Sequence, residues 1–434
     1  MNIDLQKIKK VYFIGIGGIG ISALAKWARA KGMEVSGVND EEGKTIDSLK
    51  EVGINVMSKT VFDILPEADM YVYSDAWPYR GPEIIEAAKN TGKPTLSYFE
   101  ALGVFAKDYK VIAVAGTHGK TTTTAMIADV LIDGGIDPTV IVGSFVKKFN
   151  SNFRQGGSEY LVVEADEFNR HFLNFHPEIT VITNIEADHF ETYKDIGDIE
   201  DTFRKLVEQT GKAVIFNSND VSASDVVMGV DIKVADYLDS VNLIPKLLTP
   251  GEHNRKNAAC ALLVAKILDI DIEKAKETLA NFQGTWRRLE KRGVTEAGTI
   301  IYDDYAHHPT EVQASILGLR ELYPAGSKKI TIVFQPHLYT RTKALFADFA
   351  KCFHGADKVV LLPIYFAREA IDESISSGKL AEAVCENGDK AIAFTDFELA
   401  EAYLAGGTFG KDDIFVTMGA GEAYKIADKL FKFK

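Results

Sequence analysis

Short apolar runs alternate with longer amphipathic stretches along the first hundred residues. The runs KVYFIGIG, EVSGVND, MYVYSDA and PTLSYF predict strands, whereas ISALAKWARAKG and PEIIEAAKNTG predict helices. Strands that alternate with helices indicate a parallel sheet covered by helices. The alternation pauses around FEALGVFAKDYK, and a new strand is expected to begin at Val111.

Two further blocks repeat this alternation. The second contains the strand-like runs VIAVAG, YLVVEAD, TVITNI and KAVIFN, followed by a long helical stretch, NRKNAACALLVAKIL. The third contains TIIYDDY, KITIVFQ, KVVLLPIY, KAIAFT and DIFVTMG, separated by helical segments. The pattern therefore predicts an α/β fold with three domains, at residues 1–107, 108–293 and 294–434.

Composition and charge narrow the functional classes. With 46% hydrophobic and 26% charged residues, the chain has the make-up of a soluble globular protein. Its net charge of −13 argues against general nucleic-acid binding, which depends on clustered lysine and arginine. The three cysteines form no CxxC pair, and no stretch has the pattern of a signal peptide or a membrane span. We expect a cytoplasmic monomer or weak homodimer, without membrane insertion.

The first glycine-rich loop, GIGGIG, lies between a predicted strand and a predicted helix. Gly15, Gly17 and Gly20 fit the G-x-G-x-x-G pattern. Glycines let the backbone approach a pyrophosphate, and the helix N-terminus offers N–H groups to it. Asp40 ends the second strand, where a ribose-binding acid often lies. The pattern fits a nucleotide or dinucleotide site, and a tight structural turn is an equal alternative.

The second glycine loop, GTHGKTTTT, is the more specific signal. The Lys120 ammonium can reach the β- and γ-phosphates of a nucleoside triphosphate, and the Thr121 hydroxyl can bind Mg²⁺. The amides of residues 116–122 can form an anion-binding nest. Val114 replaces the first glycine of the full G-x-x-x-x-G-K-T pattern, so the loop is a variant. We predict a Rossmann-like N-terminal domain, a central P-loop ATPase-like α/β domain and a C-terminal Rossmann-like α/β domain.

Polar side chains end the next two strands of the central block. They are Glu164, Asp166 and Glu167 after the first strand, and Asn184, Glu186, Asp188 and His189 after the second. The carboxyl ends of strands in an open α/β sheet converge on a ligand crevice. Hard oxygens and an imidazole at this edge can hold Mg²⁺ beside a triphosphate, whereas each residue taken alone also fits a loop cap.

Two polar clusters follow in the second half of the central block. GEHNRKNA places His253, Asn254 and Asn257 at a helix start. Amide side chains suit the edge of a base, and Asn254 also fits a helix cap. Arg287 and Arg288 in GTWRRLE can grip a phosphate bidentately or form a solvated pair.

The third block carries two more polar clusters, DDYAHHPTE and FQPHLYTRT, each directly after a strand. They contain His307, His308, His337, Tyr339 and Arg341. A single histidine in such a place is usually structural. Two clusters on the strand ends of one domain indicate a face that binds substrate.

The order of these motifs resembles that of the Mur ligases. GTHGKTTTT, EADE, TNIEADH, HNxxNA, RR, DDYAHHPTE and FQPHxYTRT occur in the order of that family and span essentially the whole chain. In that family the first domain binds the UDP part of the substrate, the central domain binds ATP, and the C-terminal domain brings the amino acid. The resemblance thus assigns the two phosphate loops to two nucleotides.

The resemblance implies an ATP-dependent ligase with Mg²⁺ or Mn²⁺ as cofactor. The implied substrates are UDP-N-acetylmuramate and L-alanine, and the implied role is peptidoglycan precursor synthesis, and hence cell-wall growth, cell shape and cell division. By resemblance, the lactyl carboxylate attacks the γ-phosphate of ATP to give an acyl phosphate. The amine of alanine then attacks that carbon, and a tetrahedral intermediate collapses to amide and phosphate.

The resemblance also implies roles for individual residues. The implied catalytic residues are Lys120, Glu164, His189, His337 and Arg341, and the implied metal ligands are Thr121, Glu164 and His189. The implied ATP contacts are Gly116, Thr117, His118, Gly119, Lys120, Thr121, Thr122, His253, Asn254, Asn257, Arg288 and Asp304. The implied contacts to the other substrates are Gly15, Gly17, Gly18, Gly20, Asp40, Arg170, His171, Tyr305, His308, His337 and Arg341.

Three alternatives remain open on the sequence. Leu338 stands where some alanine-adding members carry an arginine, so another amino acid or a recycled tripeptide is an alternative substrate. An oxidoreductase would use GIGGIG for its dinucleotide but would give the lysine-bearing loop no role. A regulator without catalysis would have no need of Lys120, Thr121 and Glu164 together.

Overall fold

The computed structural model describes residues 3–58, 65–188, 192–366 and 369–434. The chain divides into two compact units. The first comprises Met1–Ala187, Thr192–Lys246 and Lys256–Phe282, and the second comprises Asp188–Glu191, Leu247–Arg255 and Gln283–Lys434. Within these described ranges, no helix is both long enough and apolar enough to cross a membrane.

The strands and helices alternate along the chain, as the apolar pattern predicts. Strands β1 to β18 are Lys10–Ile14, Glu34–Asn39, Asn55–Ser58, Met70–Tyr73, Thr95–Ser97, Lys110–Ala115, Thr139–Val146, Ser151–Arg154, Tyr160–Glu164, Ile179–Ile182, Ala213–Phe216, Lys233–Asp236, Glu290–Val294, Ile300–Asp304, Lys329–Phe334, Lys358–Leu361, Ala391–Ala393 and Asp413–Met418. Helices α1 to α17 are Ile19–Ala30, Lys44–Glu51, Trp77–Arg80, Pro82–Asn90, Tyr98–Ala106, Lys120–Asp133, Ile196–Glu208, Val221–Val226, Leu238–Val241, Glu252–Ile267, Ile272–Ala280, Pro309–Leu322, Tyr339–Ala344, Phe346–Phe349, Ser377–Glu386, Phe397–Ala405 and Tyr424–Leu430. Short 3₁₀ segments span Leu5–Lys7 and Phe168–Asn174.

Five parallel strands form the first sheet, in the order β3-β2-β1-β4-β5. Strand β1 lies at the centre and pairs with β2 on one side and β4 on the other. In a Rossmann-like sheet the strand order reverses at this point, and ligands bind in the crevice at the carboxyl ends. The GIGGIG loop follows β1 directly. The prediction of a Rossmann-like N-terminal domain is therefore confirmed.

Seven strands form the second sheet, in the order β12-β11-β10-β6-β9-β7-β8. All neighbours are parallel except β8, which runs antiparallel to β7. Strand β6 lies between β10 and β9. Because the carboxyl ends of parallel strands meet at one edge, the lysine-bearing loop after β6 lies beside the two acidic loops, as predicted.

Six strands form the third sheet, in the order β13-β14-β18-β15-β16-β17. Strand β13 is antiparallel to β14, and the other neighbours are parallel. The ends of β14 and β15 are separated by β18 alone, so DDYAHHPTE and FQPHLYTRT lie at the same edge. The predicted domain boundary at residue 293 falls inside β13 and stays a prediction.

One hydrophobic cluster joins the first two sheets within the first unit. Phe13 of β1, Trp27 of α1, Phe105 of α5 and Phe203 of α7 all belong to it. Most of the FEALGVFAKDYK stretch, where the alternation pauses, belongs to helix α5, which begins with a capping box at Ser97. The rings of Trp27 and Phe105 lie 5.3 Å apart. Helix α5 thus packs into a core shared by both sheets, and the boundary at residue 107 stays a prediction.

Candidate active site

The turn between β6 and α6 together with Lys120, residues 116–120, is here called the lysine loop. Gly116 and Gly119 have left-handed backbones, with φ of +123° and +83°. A Cβ atom at Gly116 would lie 2.2 Å from Oγ1 of Thr183, and one at Gly119 would lie 2.6 Å from Oδ1 of Asn257. Only glycine satisfies both requirements. The two glycines therefore allow close packing around the start of α6.

The loop after β10 braces the lysine loop. The N–H of Thr117 donates to the backbone oxygen of Asn184 at 3.0 Å, and the N–H of His118 donates to its Oδ1 at 2.9 Å. Oγ1 of Thr183 donates to the backbone oxygen of His118 at 2.6 Å. Two amides of the predicted anion nest are therefore used within the protein. The rest of the predicted nest includes the first turn of α6, residues 120–122, and a helix N-terminus directs its N–H groups toward an anion.

The Lys120 ammonium lies over its own loop. Its Nζ donates to the backbone oxygen of Gly116 at 2.5 Å and contacts both carboxylate oxygens of Glu167, at 3.0 and 2.8 Å. Burial opposes the charged form, but the carboxylates of Glu167 and Asp166 outweigh it and raise the pKa of Lys120. Lys120 is therefore charged at neutral pH, as a contact with phosphate requires.

Thr121 and Glu164 meet beside the first turn of α6. Oγ1 of Thr121 donates to Oε1 of Glu164 at 2.9 Å, and the N–H of Gly143 in β7 donates to Oε2 at 2.7 Å. A Cβ at Gly143 would lie 2.6 Å from Oε2, so glycine leaves room for this carboxylate. The two oxygens are ligands of the kind that Mg²⁺ prefers. The third implied ligand, His189, lies outside the described residues.

Helix α10 carries the amide side chains implied to bind the base. Asn257 is buried and lies against the position of Gly119. Asn254 lies inside the first turn, and its Nδ2 donates to the backbone oxygen of Pro250 at 2.7 Å. An N-cap side chain precedes the first turn and accepts a bond from it. Asn254 is therefore an interior residue of the helix and not its cap.

The GIGGIG loop is held by the end of β2. Gly15 has a left-handed backbone, with φ of +77°, and the N–H of Gly17 donates to Oδ1 of Asn39 at 3.1 Å. Asn39 is a loop-positioning residue that the sequence pattern did not reveal. Asp40 lies one residue beyond β2, and its Oδ1 is 3.4 Å from Nη1 of Arg80. Its contact with a ribose stays a prediction.

Arg170 and His171 are anchored within the first unit. Nη2 of Arg170 donates to both carboxylate oxygens of Asp198, at 2.8 and 3.0 Å. The ring of His171 stacks on that of Phe99 with centroids 3.9 Å apart, and its Nε2 lies 3.5 Å from Oδ1 of Asp75. Both side chains are thus held in place by protein groups, and their contact with a sugar stays a prediction.

In the second unit, Arg287 is a structural residue. Its Nε lies 2.8 Å from Oδ2 of Asp303, and its Nη2 donates to the backbone oxygen of Gly419 at 2.7 Å. Because only 6% of the side chain is exposed, the solvated-pair alternative is wrong for Arg287. Arg288 is half-buried, and its guanidinium lies over the ring of Tyr305 at 5.0 Å.

Asp304 and His308 stabilise the turn from β14 to α12. The buried Asp304 carboxylate accepts hydrogen bonds from Oγ of Ser315 and from the N–H of Ala306. Burial raises the pKa of Asp304 to about 6. His308 is the N-cap of α12, with its Nδ1 accepting from the N–H of Thr310 at 3.3 Å. The implied ligand contacts of both residues stay predictions beside this structural role.

The strand ends of the third sheet bring His307, His337 and Arg341 together. The two histidine rings lie 5.8 Å apart, and Nδ1 of His337 is 3.1 Å from Nη1 of Arg341. Arg341 forms a bidentate pair with Asp188, with Nη2 2.9 Å and Nε 3.1 Å from Oδ1. Tyr365 stacks on His337 with centroids 5.5 Å apart. The sequence offered one signal for Tyr365, its place at the end of the run KVVLLPIY, four residues beyond the strand Lys358–Leu361.

Comparisons with known proteins agree with this arrangement. Three family models match: "Mur ligase family, catalytic domain" at residues 10–110, "Mur ligase middle domain" at 114–237, and "Mur ligase, glutamate ligase domain" at 287–421. Together they cover most of the chain, and they match in the order that the sequence motifs predict.

Similar proteins extend over the full length of the chain. The UDP-N-acetylmuramate–L-alanine ligase of Caldanaerobacter subterraneus subsp. tengcongensis is 36% identical, over 100% of this chain and 99% of the relative. That of Clostridium perfringens is 37% identical, over 100% of both. The crystal structure of the UDP-N-acetylmuramate-alanine ligase of Thermotoga maritima is 26% identical, with a TM-score of 0.80 over 97% of this chain and 98% of that one. A murein peptide ligase of Psychrobacter arcticus, 22% identical with a TM-score of 0.69 over 97% of this chain and 98% of that one, shares the fold. The resemblance is confirmed, and the chain belongs to the Mur ligase family.

Proposed function

We propose that this chain is an ATP-dependent ligase that joins L-alanine to the lactyl carboxylate of UDP-N-acetylmuramate through an acyl phosphate. The observation that carries the proposal is the lysine loop. It sets a charged, partly buried Lys120 at the start of α6, with the oxygens of Thr121 and Glu164 beside that turn. The full-length relatives named above support the choice of substrates.

The proposed reaction belongs to peptidoglycan precursor synthesis, and hence to cell-wall growth, cell shape and division. The partners are small molecules, in keeping with a net charge of −13, which disfavours nucleic acid. We propose that the protein acts in the cytoplasm, as expected from the sequence.

Charge neutralisation is the main task of the lysine loop in this reaction. A carboxylate that attacks ATP approaches a polyanion, so fixed positive charge must offset the repulsion. Lys120 supplies one full charge beside the phosphates. The N–H groups of the first turn of α6 add the partial positive charge of a helix end. Both groups lie at the start of α6 before the substrates bind.

A divalent ion fits the oxygens of Thr121 and Glu164. We infer that these residues hold Mg²⁺ or Mn²⁺, together with His189. When bound, the ion supplies further positive charge at the phosphates. The glycine at position 143 keeps the space for the carboxylate, and its N–H fixes Oε2 so that Oε1 stays beside Thr121.

Gly143→Ala tests this oxygen pair. We expect the substitution to raise the Mg²⁺ concentration needed for half-maximal phosphate release by about 10-fold, because the new methyl group displaces the Glu164 carboxylate. Gly211→Ala is the matched control, since the nearest atoms to its Cβ lie 3.8 Å away. A Mg²⁺ titration of both variants checks the expectation. An unchanged Mg²⁺ requirement in Gly143→Ala would contradict the assigned role of Glu164.

The amino-acid side of the reaction is assigned to the second unit. His337, Arg341 and Tyr305 are the residues we propose there. Leu338 has a hydrocarbon side chain, so it offers no charge to an amino-acid carboxylate; it is 4% exposed and has a left-handed backbone with φ of 69°. The alternative is a related Mur ligase that adds another amino acid or a recycled tripeptide. A murein peptide ligase shares the fold of this chain, so the alternative is tested as well.

One end-point assay separates these two substrates. We expect phosphate release from ATP to depend on UDP-N-acetylmuramate and L-alanine together, with a product heavier by one alanyl residue in mass spectrometry. Serine, glycine and the tripeptide L-alanyl-D-glutamyl-meso-diaminopimelate are run in parallel. Turnover with the tripeptide and none with alanine would favour the alternative. Release without UDP-N-acetylmuramate would contradict both assignments.

A further inference from the structure

Glu167 pairs with the phosphate-binding lysine in the first unit. Its side chain is buried, and its Oε1 and Oε2 lie 3.0 and 2.8 Å from Nζ of Lys120. The same ammonium donates to the backbone oxygens of Gly116 and Thr117, at 2.5 and 3.2 Å. An ammonium has three N–H donors. These oxygens therefore engage the donors that a phosphate oxygen would need.

The backbone of Glu167 is held in place by its own turn. Its carbonyl oxygen accepts from Oη of Tyr193 at 2.5 Å and from the N–H of Arg170 at 2.8 Å. Asn169 and Arg170 have left-handed backbones, with φ of 49° and 60°. Such conformations cost energy in residues other than glycine and persist where the surroundings enforce them. The Arg170 side chain is anchored on Asp198. A strained, braced turn thus presents Glu167 to Lys120.

The two glutamates of EADE serve different partners. Glu164 accepts hydrogen bonds from the hydroxyl of Thr121 and the N–H of Gly143, whereas Glu167 forms an ion pair with the ammonium of Lys120. A carboxylate and a triphosphate compete for the same cation, because each approaches Nζ with negatively charged oxygens. Glu167 can therefore leave Lys120 while the proposed metal-binding oxygens keep their partners.

We propose that Glu167 is a positioning residue that exchanges with a phosphate oxygen of ATP on the Lys120 ammonium. The inference rests on the proposed function. Glu167 holds Nζ over the lysine loop, and a phosphate oxygen takes its place when the triphosphate binds. The displaced carboxylate stays close enough to repel the phosphates. It therefore weakens nucleotide binding and favours release of the spent nucleotide.

Calorimetric titration of a nonhydrolysable ATP analogue, with AMP in parallel, tests the exchange. We expect Glu167→Gln to bind the analogue about 10-fold more tightly than the wild type, because one negative charge beside the phosphates is removed. AMP affinity should stay the same. Glu167→Asp should show a smaller gain, because the shorter side chain reaches Nζ less well. Glu159→Gln is the matched control, since Glu159 pairs with Lys110 at 2.6 Å on the exposed amino end of the same strand.

Each outcome of these titrations either supports or overturns the proposed exchange at Lys120. Tighter binding of the analogue, without a change for AMP or in the control, supports the exchange. Unchanged or weaker binding by a folded Glu167→Gln variant would overturn it. If that variant does not fold, Glu167→Asp carries the test, and a gain that is absent there would also overturn the inference. No binding by the wild type would remove the proposed function as well, whereas wild-type binding with no gain in the variants removes this inference alone.

Discussion

Lys120→Ala is expected to slow ATP-dependent ligation by on the order of 10³-fold, the largest effect that we foresee at a single side chain. The reaction brings a carboxylate to a triphosphate, and Lys120 is the fixed cation of the lysine loop. A group that stabilises charge in the transition state lowers kcat and kcat/KM together when it is lost. Phosphate release at saturating substrates measures the effect. Lys110→Ala is the control, because Lys110 forms an exposed pair with Glu159 on the same sheet.

A loss of stability must be separated from this loss of activity. Lys120→Ala leaves Glu167 as a buried carboxylate without its counter-ion, which in general costs about 3–5 kcal/mol. The double variant Lys120→Ala with Glu167→Gln removes both charges. We expect thermal melting to show that it recovers stability while remaining inactive. Activity within 10-fold of the wild type in either folded variant would contradict the role of Lys120.

In the part of the chain that the structure describes, most central strands could be predicted from the sequence, whereas four of the six edge strands could not; the predicted edge strands are β5 and β17. All thirteen runs read as strands from their apolar character are strands in the structure. Of the five that were missed, β3, β8, β12 and β13 lie at sheet edges, and β7 pairs with one of them. The edge strands β12 and β13 carry polar residues such as Lys233 and Glu290, so they have no continuous apolar run. A parallel strand that is buried on both faces has a continuous apolar run, and such a run can be recognised in the sequence.

The neighbourhood of the site could be predicted, but the partners of its residues could not. Thr121 and Glu164 meet because β6 and β9 are adjacent parallel strands, and the sequence predicts that the carboxyl ends of such strands converge without giving their order. The sequence does not say which carboxylate of EADEF reaches Lys120, because that depends on the left-handed turn at Asn169 and Arg170. The same limit applies to Arg287, whose burial follows from the packing of three separate segments.

Arg287→Ala is expected to destabilise the second unit by about 3–5 kcal/mol. The change leaves the buried Asp303 carboxylate without its cation, and it removes the donor to the backbone oxygen of Gly419. Burial already raises the pKa of Asp303. Without Arg287 that pKa rises further, so protonation relieves the penalty as the pH falls. The loss should therefore be larger at pH 8 than at pH 5, as measured by urea denaturation at each pH.

Arg292→Ala is the control for Arg287→Ala, because it removes an ion pair that is exposed to solvent. Arg292 also pairs with an aspartate at 2.8 Å, but its side chain is 25% exposed and that of Asp428 is 43% exposed. A solvated pair of this kind contributes less than about 1 kcal/mol, because water screens both charges. The two pairs thus have equal bond lengths and differ chiefly in burial. If both variants lost the same small amount, at both pH values, Arg287 would not hold the strand end as the structure implies.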